Sequence, residues 1–190
     1  MAEASTRNYK EVLVEALNSF KCCKDLDVES FLKEKAIDFE IRGWATTYLL
    51  LDQDSLNAGE IKIDGYFSLT HKAVAFNDDV SKSKRDKVSG NKDSEMSSFI
   101  LIGQLAKYME KTDEGEIKSS KITGKELLND AFQIISNCSE YIINRNVIVE
   151  CKPIEKVRKL YEAYGFSDLQ FDKKDKLHMM YLKLENSIKF

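Results

Sequence analysis

Residues 147–166 read VIVECKPIEKVRKLYEAYGF, and this stretch decides the fold class. Val147, Ile148 and Val149 are contiguous β-branched residues, as in a strand covered on both faces. Pro153, the single proline of the chain, stands where a helix would begin; there its missing N–H costs nothing and its fixed φ suits helical entry. Ile154, Val157, Leu160, Tyr161 and Tyr164 then recur at helical spacing, with Glu155, Lys156, Arg158, Lys159 and Glu162 on the other face. Gly165 supplies a left-handed stop, and Phe166 can fold back onto the helix as the apolar partner of that cap. The stretch is a strand–helix unit packed on a sheet. By pattern alone, Tyr161 is an aromatic at the edge of the core.

The flanking sequence extends the alternation of helices and strands. Residues 8–20 carry a helical stripe (Tyr9, Val12, Leu13, Ala16, Leu17, Phe20), and Asp27 is placed to cap a second helix ended by Gly43. Residues 44–51 (WATTYLLL) and 60–70 read as an antiparallel hairpin across the turn QDSLNAG. Residues 77–98 hold Lys82, Lys84, Arg85, Lys87 and Lys92 among serines and aspartates. They suggest a solvated loop or insertion with at most one helical turn. FILIGQLAKY (99–108) is the strongest strand, followed by turn-rich MEKTDEGEIKSS. A long helix then runs over 122–143, with Leu127, Leu128, Ala131, Phe132, Ile135 and Cys138 inward. Residues 167–172 and 177–184 form a last hairpin, whose His178, Met179, Met180 and Tyr181 offer a possible homodimer face.

At 190 residues the chain suits one α/β domain spanning 1–190. A net charge of −3 gives no global attraction to nucleic acid or anionic membrane. The start, MAEASTRNYK, lacks the apolar core of a signal peptide, and no apolar run approaches the ~20 residues that cross a bilayer. The expected location is the cytoplasm. Cys22, Cys23, Cys138 and Cys151 with His71 and His178 show no metal-ligand spacing, so no metal is expected. Cys151 reads as a buried, unreactive thiol, since no histidine is placed by sequence to activate it.

One loop has the makings of an anion site. Residues 119–124 (SSKITG) precede the long helix, whose first N–H groups and dipole favour phosphate oxygens, and Lys118, Lys121 and Lys125 add charge. The plain alternative is a helix cap.

Taken in order, FILIGQLAKY, SSKITGKELLNDAF and VIVECKPIEKVRKLYEAYGF resemble the GNAT superfamily of acyl-CoA-dependent N-acetyltransferases. The resemblance implies a single domain of α/β (α+β) class, with a mixed, mostly antiparallel twisted sheet of about six strands flanked by helices. It implies acetyl-CoA as cosubstrate, its pantetheine arm paired with the backbone at Leu105, Ala106 and Lys107. Its pyrophosphate would lie on Ser119, Ser120, Lys121, Ile122, Thr123, Gly124 and Lys125. In the family's Q/R-x-x-G-x-G/A motif the last glycine is matched by Gly124, while Ser119 replaces the leading Gln/Arg and Ile122 the first glycine. The family's L-Y-x-x-x-G-F ending is matched by Leu160, Tyr161, Gly165 and Phe166, and Ile154 stands where an asparagine is frequent.

The implied reaction is direct acetyl transfer to a primary amine, with Tyr161 as general acid to the CoA thiolate. Glu150 or a water chain would be the base, and a strand N–H near Leu105 the oxyanion donor. The acceptor is a small molecule or a protein amino group. One variant is a toxin-type acetyltransferase acting on charged tRNA, with lysines 82–92 on RNA phosphate; another is a non-catalytic acyl-CoA- or protein-binding module on the same fold.

Overall fold

The computed structural model describes residues 9–139 and 146–184; the expected helix start at Asn8 and helix end at Ile143 lie outside them. The elements in chain order are α1 (Tyr9–Ser19), α2 (Leu26–Ser30), a π-helical turn (Phe31–Lys35), α3 (Ala36–Ile41), β1 (Thr46–Leu51), α4 (Gln53–Asn57) and β2 (Ile63–Ala75). There follow α5 (Lys82–Ser89), β3 (Met96–Lys107), β4 (Met109–Lys111), β5 (Ile117–Ser119), α6 (Gly124–Ser139), β6 (Asn146–Cys151), α7 (Glu155–Tyr164), β7 (Ser167–Asp172) and β8 (Leu177–Lys183). Six strands hydrogen-bond in the order β1-β2-β3-β6-β8-β7, and β4 pairs with β5 in a separate ribbon. β3 and β6 are parallel, whereas β8 is antiparallel to both β6 and β7. The expected mixed sheet of six strands with flanking helices is therefore present. By its packing the chain divides into two compact units, residues 1–68 with 104–127 and residues 69–103 with 128–190.

In the first unit, Asp25 rather than Asp27 caps α2: its carboxylate accepts the Asp27 N–H at 3.2 Å. A cap lies just outside the helix, and Asp27 is already within it. Only the C-terminal half of the α1 stripe turns inward, through Ala16, Leu17 and the following Phe20; Tyr9 is exposed. Phe20 meets Tyr66 edge-on at 5.5 Å and Tyr108 at 6.1 Å, while Phe31 stacks parallel to Tyr66 at 6.4 Å. Trp44 falls before β1, packed edge-on against Phe39 at 5.2 Å with the Arg42 guanidinium 4.9 Å over its ring. The segment QDSLNAG holds a short helix, α4, because the Asp52 carboxylate takes the Ser55 N–H at 2.7 Å. MEKTDEGEIKSS is not merely a turn: Met109↔Ser119, Glu110↔Lys118 and Lys111↔Ile117 pair antiparallel across it.

In the second unit, Ile100, Leu101 and Ile102 of β3 pair with Val147, Ile148 and Val149 of β6. Those three β6 residues are wholly buried, as a strand covered on both faces requires. α6 lies on the crossover that a parallel pair needs. It starts at Gly124 rather than Ile122; Leu128, Ala131 and Ile135 are buried, but Cys138 is exposed. α7 starts at Glu155, two residues after Pro153. The Ile154 N–H closes a tight turn onto the Lys152 carbonyl at 2.7 Å, and the extended Ile154 backbone (φ −103°, ψ 116°) delays the helix. At its end Gly165 takes φ 109°, the Phe166 N–H donates to the Tyr161 carbonyl at 3.0 Å, and the Phe166 ring meets Tyr161 edge-on at 5.5 Å.

Two expectations in this unit are corrected. The 77–98 segment contains a two-turn helix, α5, with Ser81 as N-cap, Gly90 at φ 79° as C-cap and Val88 buried. Arg85 fastens it by donating to the carbonyls of Val80, Asn77 and Ser94. The last hairpin forms as expected, but β8 is bonded along both edges, and Met179, Met180 and Tyr181 are core residues. Their apolar surface is already consumed inside the unit, so this strand supplies no dimer face.

Candidate active site

In the first unit, the end of β3 and the loop 119–124 are tied into one piece. The Asp64 carbonyl accepts both the Tyr108 N–H at 2.8 Å and the Ser120 hydroxyl at 2.7 Å, and the Ser120 N–H donates to the Tyr108 carbonyl at 3.1 Å. The Lys107 ammonium donates to the Ser120 and Ile122 carbonyls at 3.2 and 3.1 Å. β2 approaches closely because residue 65 is glycine: a Cβ there would stand 3.0 Å from the Ala106 carbonyl oxygen and 3.0 Å from Leu127 Cδ2. Ala106 is buried, and Leu105 and Lys107 are half-buried.

α6 opens with a capping box. The Glu126 N–H donates to Thr123 Oγ1 at 3.2 Å, and the Thr123 N–H donates to Glu126 Oε2 at 2.7 Å. The hydroxyl and N–H of Thr123 hold the Glu126 carboxyl below its ordinary pKa. Gly124 and Lys125 bring the first helical N–H groups, with the exposed ammonium groups of Lys121 and Lys125 beside them. The helix end is thus capped, as in the plain alternative, and the Glu126 carboxylate occupies the Thr123 N–H. Residues 123–126 spell T-x-x-E, so sequence alone carried the signal for Glu126. No local pattern announces the Lys107 clamp, because its partners lie thirteen and fifteen residues away. Asp64 has no sequence marker either. Burial, and then the charge of Asp52, push its carboxyl pKa up, opposed by Lys121.

In the second unit, Tyr161 is 7% exposed, and its hydroxyl has no hydrogen-bond partner among the described residues. Burial, and next the neighbouring Cys151, raise its pKa above the ordinary phenol value. Cys151 is itself buried, and desolvation raises its thiol pKa, with Arg158 pulling the other way. Its burial is as the sequence suggested, and the raised pKa favours the protonated thiol. Glu150 and Cys151 are successive on β6 and face opposite sides of the sheet. Glu150 is held by Lys72 at 2.6 Å. The structure thus groups Lys107, Ser120, Ile122 and Thr123, and gives Glu150 an ion-pair partner instead of bringing it to Tyr161.

The basic residues of 82–92 are largely engaged within their unit. Lys82 pairs with Asp93 at 3.1 Å, Lys84 donates to the Asp168 and Leu169 carbonyls, and Arg85 is spent on three carbonyls. Among the described residues no group of three or more metal-ligating side chains gathers, and no helix is long and apolar enough to cross a membrane.

No protein-family model matches the sequence, and no curated protein matches it. Solved structures do. AtaT complexed with acetyl-methionyl-tRNAfMet is 19% identical with a TM-score of 0.63, covering 88% of this chain and 86% of that one. A tyrosine-to-phenylalanine mutant of KacT is 18% identical, TM-score 0.64, with the same shares covered, 88% and 86%. A structure described as a bacterial toxin is 14% identical, TM-score 0.65, covering 88% of this chain and 83% of that chain. The parallel β3–β6 pair with its helical crossover, the strand–helix unit after it and the closing hairpin define the class. The chain has the GNAT fold.

Proposed function

We propose that the protein is an acetyl-CoA-dependent N-acetyltransferase that moves the acetyl group directly to a primary amine. The observation that carries this reading is Tyr161: a buried phenol of raised pKa, its hydroxyl unbonded among the described residues, on the helix that ends in Tyr164-Gly165-Phe166. Such a group stays protonated at neutral pH and has its one proton to give. The amine lone pair attacks the thioester carbonyl, the C–S bond breaks as the tetrahedral adduct collapses, and Tyr161 protonates the departing thiolate. The amine proton leaves to water or to Glu150, which Lys72 currently holds. The backbone at Leu105–Lys107 lies along the pantetheine arm, and 119–125 receives the diphosphate.

The acceptor reading best supported is the α-amine of an aminoacyl group on charged tRNA, because a structural neighbour, AtaT, was solved with acetyl-methionyl-tRNAfMet. The intramolecular bonds of Lys84 and Arg85 argue that RNA contacts lie elsewhere than on 82–92. The test has two steps. Acetyl-CoA at ~100 times its dissociation constant stabilises the folded protein by about 2.7 kcal/mol. Tyr161→Phe then keeps that stabilisation but loses about 10²- to 10⁴-fold in acetyl transfer to aminoacyl-tRNA or to an amine found by screening. Undiminished transfer by the variant overturns the acid role.

A further inference from the structure

Lys107 joins β3 to the loop 119–124 through bonds that the acetyl-CoA reading does not use. The purpose of this clamp, though not its existence, rests on that reading. Glycines in a phosphate loop let the backbone turn its N–H groups onto the anion and approach it closely. Here the inner position is Ile122, a β-branched residue with little such freedom. The Lys107 ammonium draws the carbonyls of Ser120 and Ile122 to itself at 3.2 and 3.1 Å. A trans peptide points its C=O and N–H in opposite directions. The clamp therefore turns the N–H groups of Lys121 and Thr123 away from Lys107, onto the other side of the loop. That side already receives an anion: the Thr123 N–H meets the Glu126 carboxylate at 2.7 Å.

We propose that Lys107 is a positioning residue that presents the loop's donors to the CoA diphosphate, a side-chain clamp standing in for glycine. The role differs from that of Lys121 and Lys125, whose exposed ammonium groups can reach a phosphate directly.

The test compares the unmodified protein with Lys107→Met, which keeps the stem and removes the donors. In ligand-free protein, the Ser120 and Thr123 amides, bonded to Tyr108 and Glu126, should exchange with deuterium at least tenfold faster in the variant. Affinity for coenzyme A should fall at least tenfold more than that for pantetheine, which lacks the diphosphate. A general folding defect would weaken both ligands together, and that outcome overturns the proposal. So does a variant that loses coenzyme A but keeps amide protection, since Lys107 would then be a direct phosphate ligand. In an Ile122→Gly background the loss caused by Lys107→Met should shrink; an equal loss in both backgrounds also counts against the clamp. If the unmodified protein binds no coenzyme A, the cofactor reading fails, and the exchange result still decides whether the clamp exists.

Discussion

Gly65→Ala probes the close approach on which the end of β3 depends. The added Cβ would stand 3.0 Å from the Ala106 carbonyl oxygen and from Leu127 Cδ2, and 3.5 Å from Leu127 Cδ1. Carbon–carbon contacts are optimal near 3.5–4.0 Å, so the intrusion on Leu127 is roughly 0.5–1 Å. Leu127 is 1% exposed and has little room to rotate away, and the Ala106 oxygen belongs to a strand backbone. Overpacking of this kind costs about 1–3 kcal/mol. Alanine also restricts the unfolded chain, which stabilises by about 0.4–1 kcal/mol wherever the native backbone suits it. Gly65 is not among the positive-φ glycines, so that gain applies. The net expectation is a loss of about 0.5–2 kcal/mol, or about 1–8 °C in Tm for a chain of this size. Urea unfolding should show a lower midpoint at unchanged slope. Because the displaced group is the Ala106 carbonyl, acetyl-CoA should also bind more weakly. The sign is the test: a variant as stable as the parent, or more stable, would refute the close approach.

Glu126→Gln keeps a capping acceptor but removes the carboxylate from the Thr123 N–H, so coenzyme A should bind roughly twofold to fivefold tighter in calorimetry; unchanged affinity would show that the diphosphate does not use this helix end. Asp64→Asn addresses a carboxyl whose folded pKa is raised by burial and by Asp52. The folded state holds that proton more firmly, so stability is full below the ordinary carboxyl pKa and falls as pH rises through the raised value. The variant should be more stable at pH 7, with the advantage gone near pH 3; a constant difference across that range would mean that titration is not the cause. Gly165→Ala forces an L side chain to φ 109° and should cost about 1–2 kcal/mol in thermal or urea unfolding. A neutral result there would discount the left-handed cap of α7.

What could be read from sequence was what rests on short-range pattern. The β-branched run 147–149, the helical stripe ending in Gly165-Phe166 and the strand at 99–108 each announce themselves through periodicity and termination. α5 escapes such reading because KSKRDKVS holds one apolar residue, Val88; its helix survives through its two caps and the Arg85 bonds to carbonyls of the flanking loops, five to nine residues away. The π turn at Phe31–Lys35 interrupts a helical stripe without a sequence marker. The Met-rich strand looked like an interface because nothing local says that β8 lies between two other strands. At the site the same division holds. Tyr161 and Gly165 could be found along the chain, whereas the Lys107 clamp and the Lys72–Glu150 pair join residues that are far apart in sequence.

The position of β8 also bears on how the chain is made. β6 is synthesised before the strand that lies beside it, and Leu177–Lys183 arrives only after α7 and β7. At roughly 5–20 residues per second, the nascent chain carries the bare flank of Val147-Ile148-Val149 for a few seconds before residue 183 is added. An open, apolar, β-branched flank is a template for pairing with another chain. Ribosome-bound intermediates of this protein should therefore pass through a sticky stage that ends when β8 slides into its lane. Fragments stopped between residues 152 and 176 should aggregate or be held by chaperones, and those that reach past Tyr161 should do so even though they contain every residue proposed for cofactor and acid.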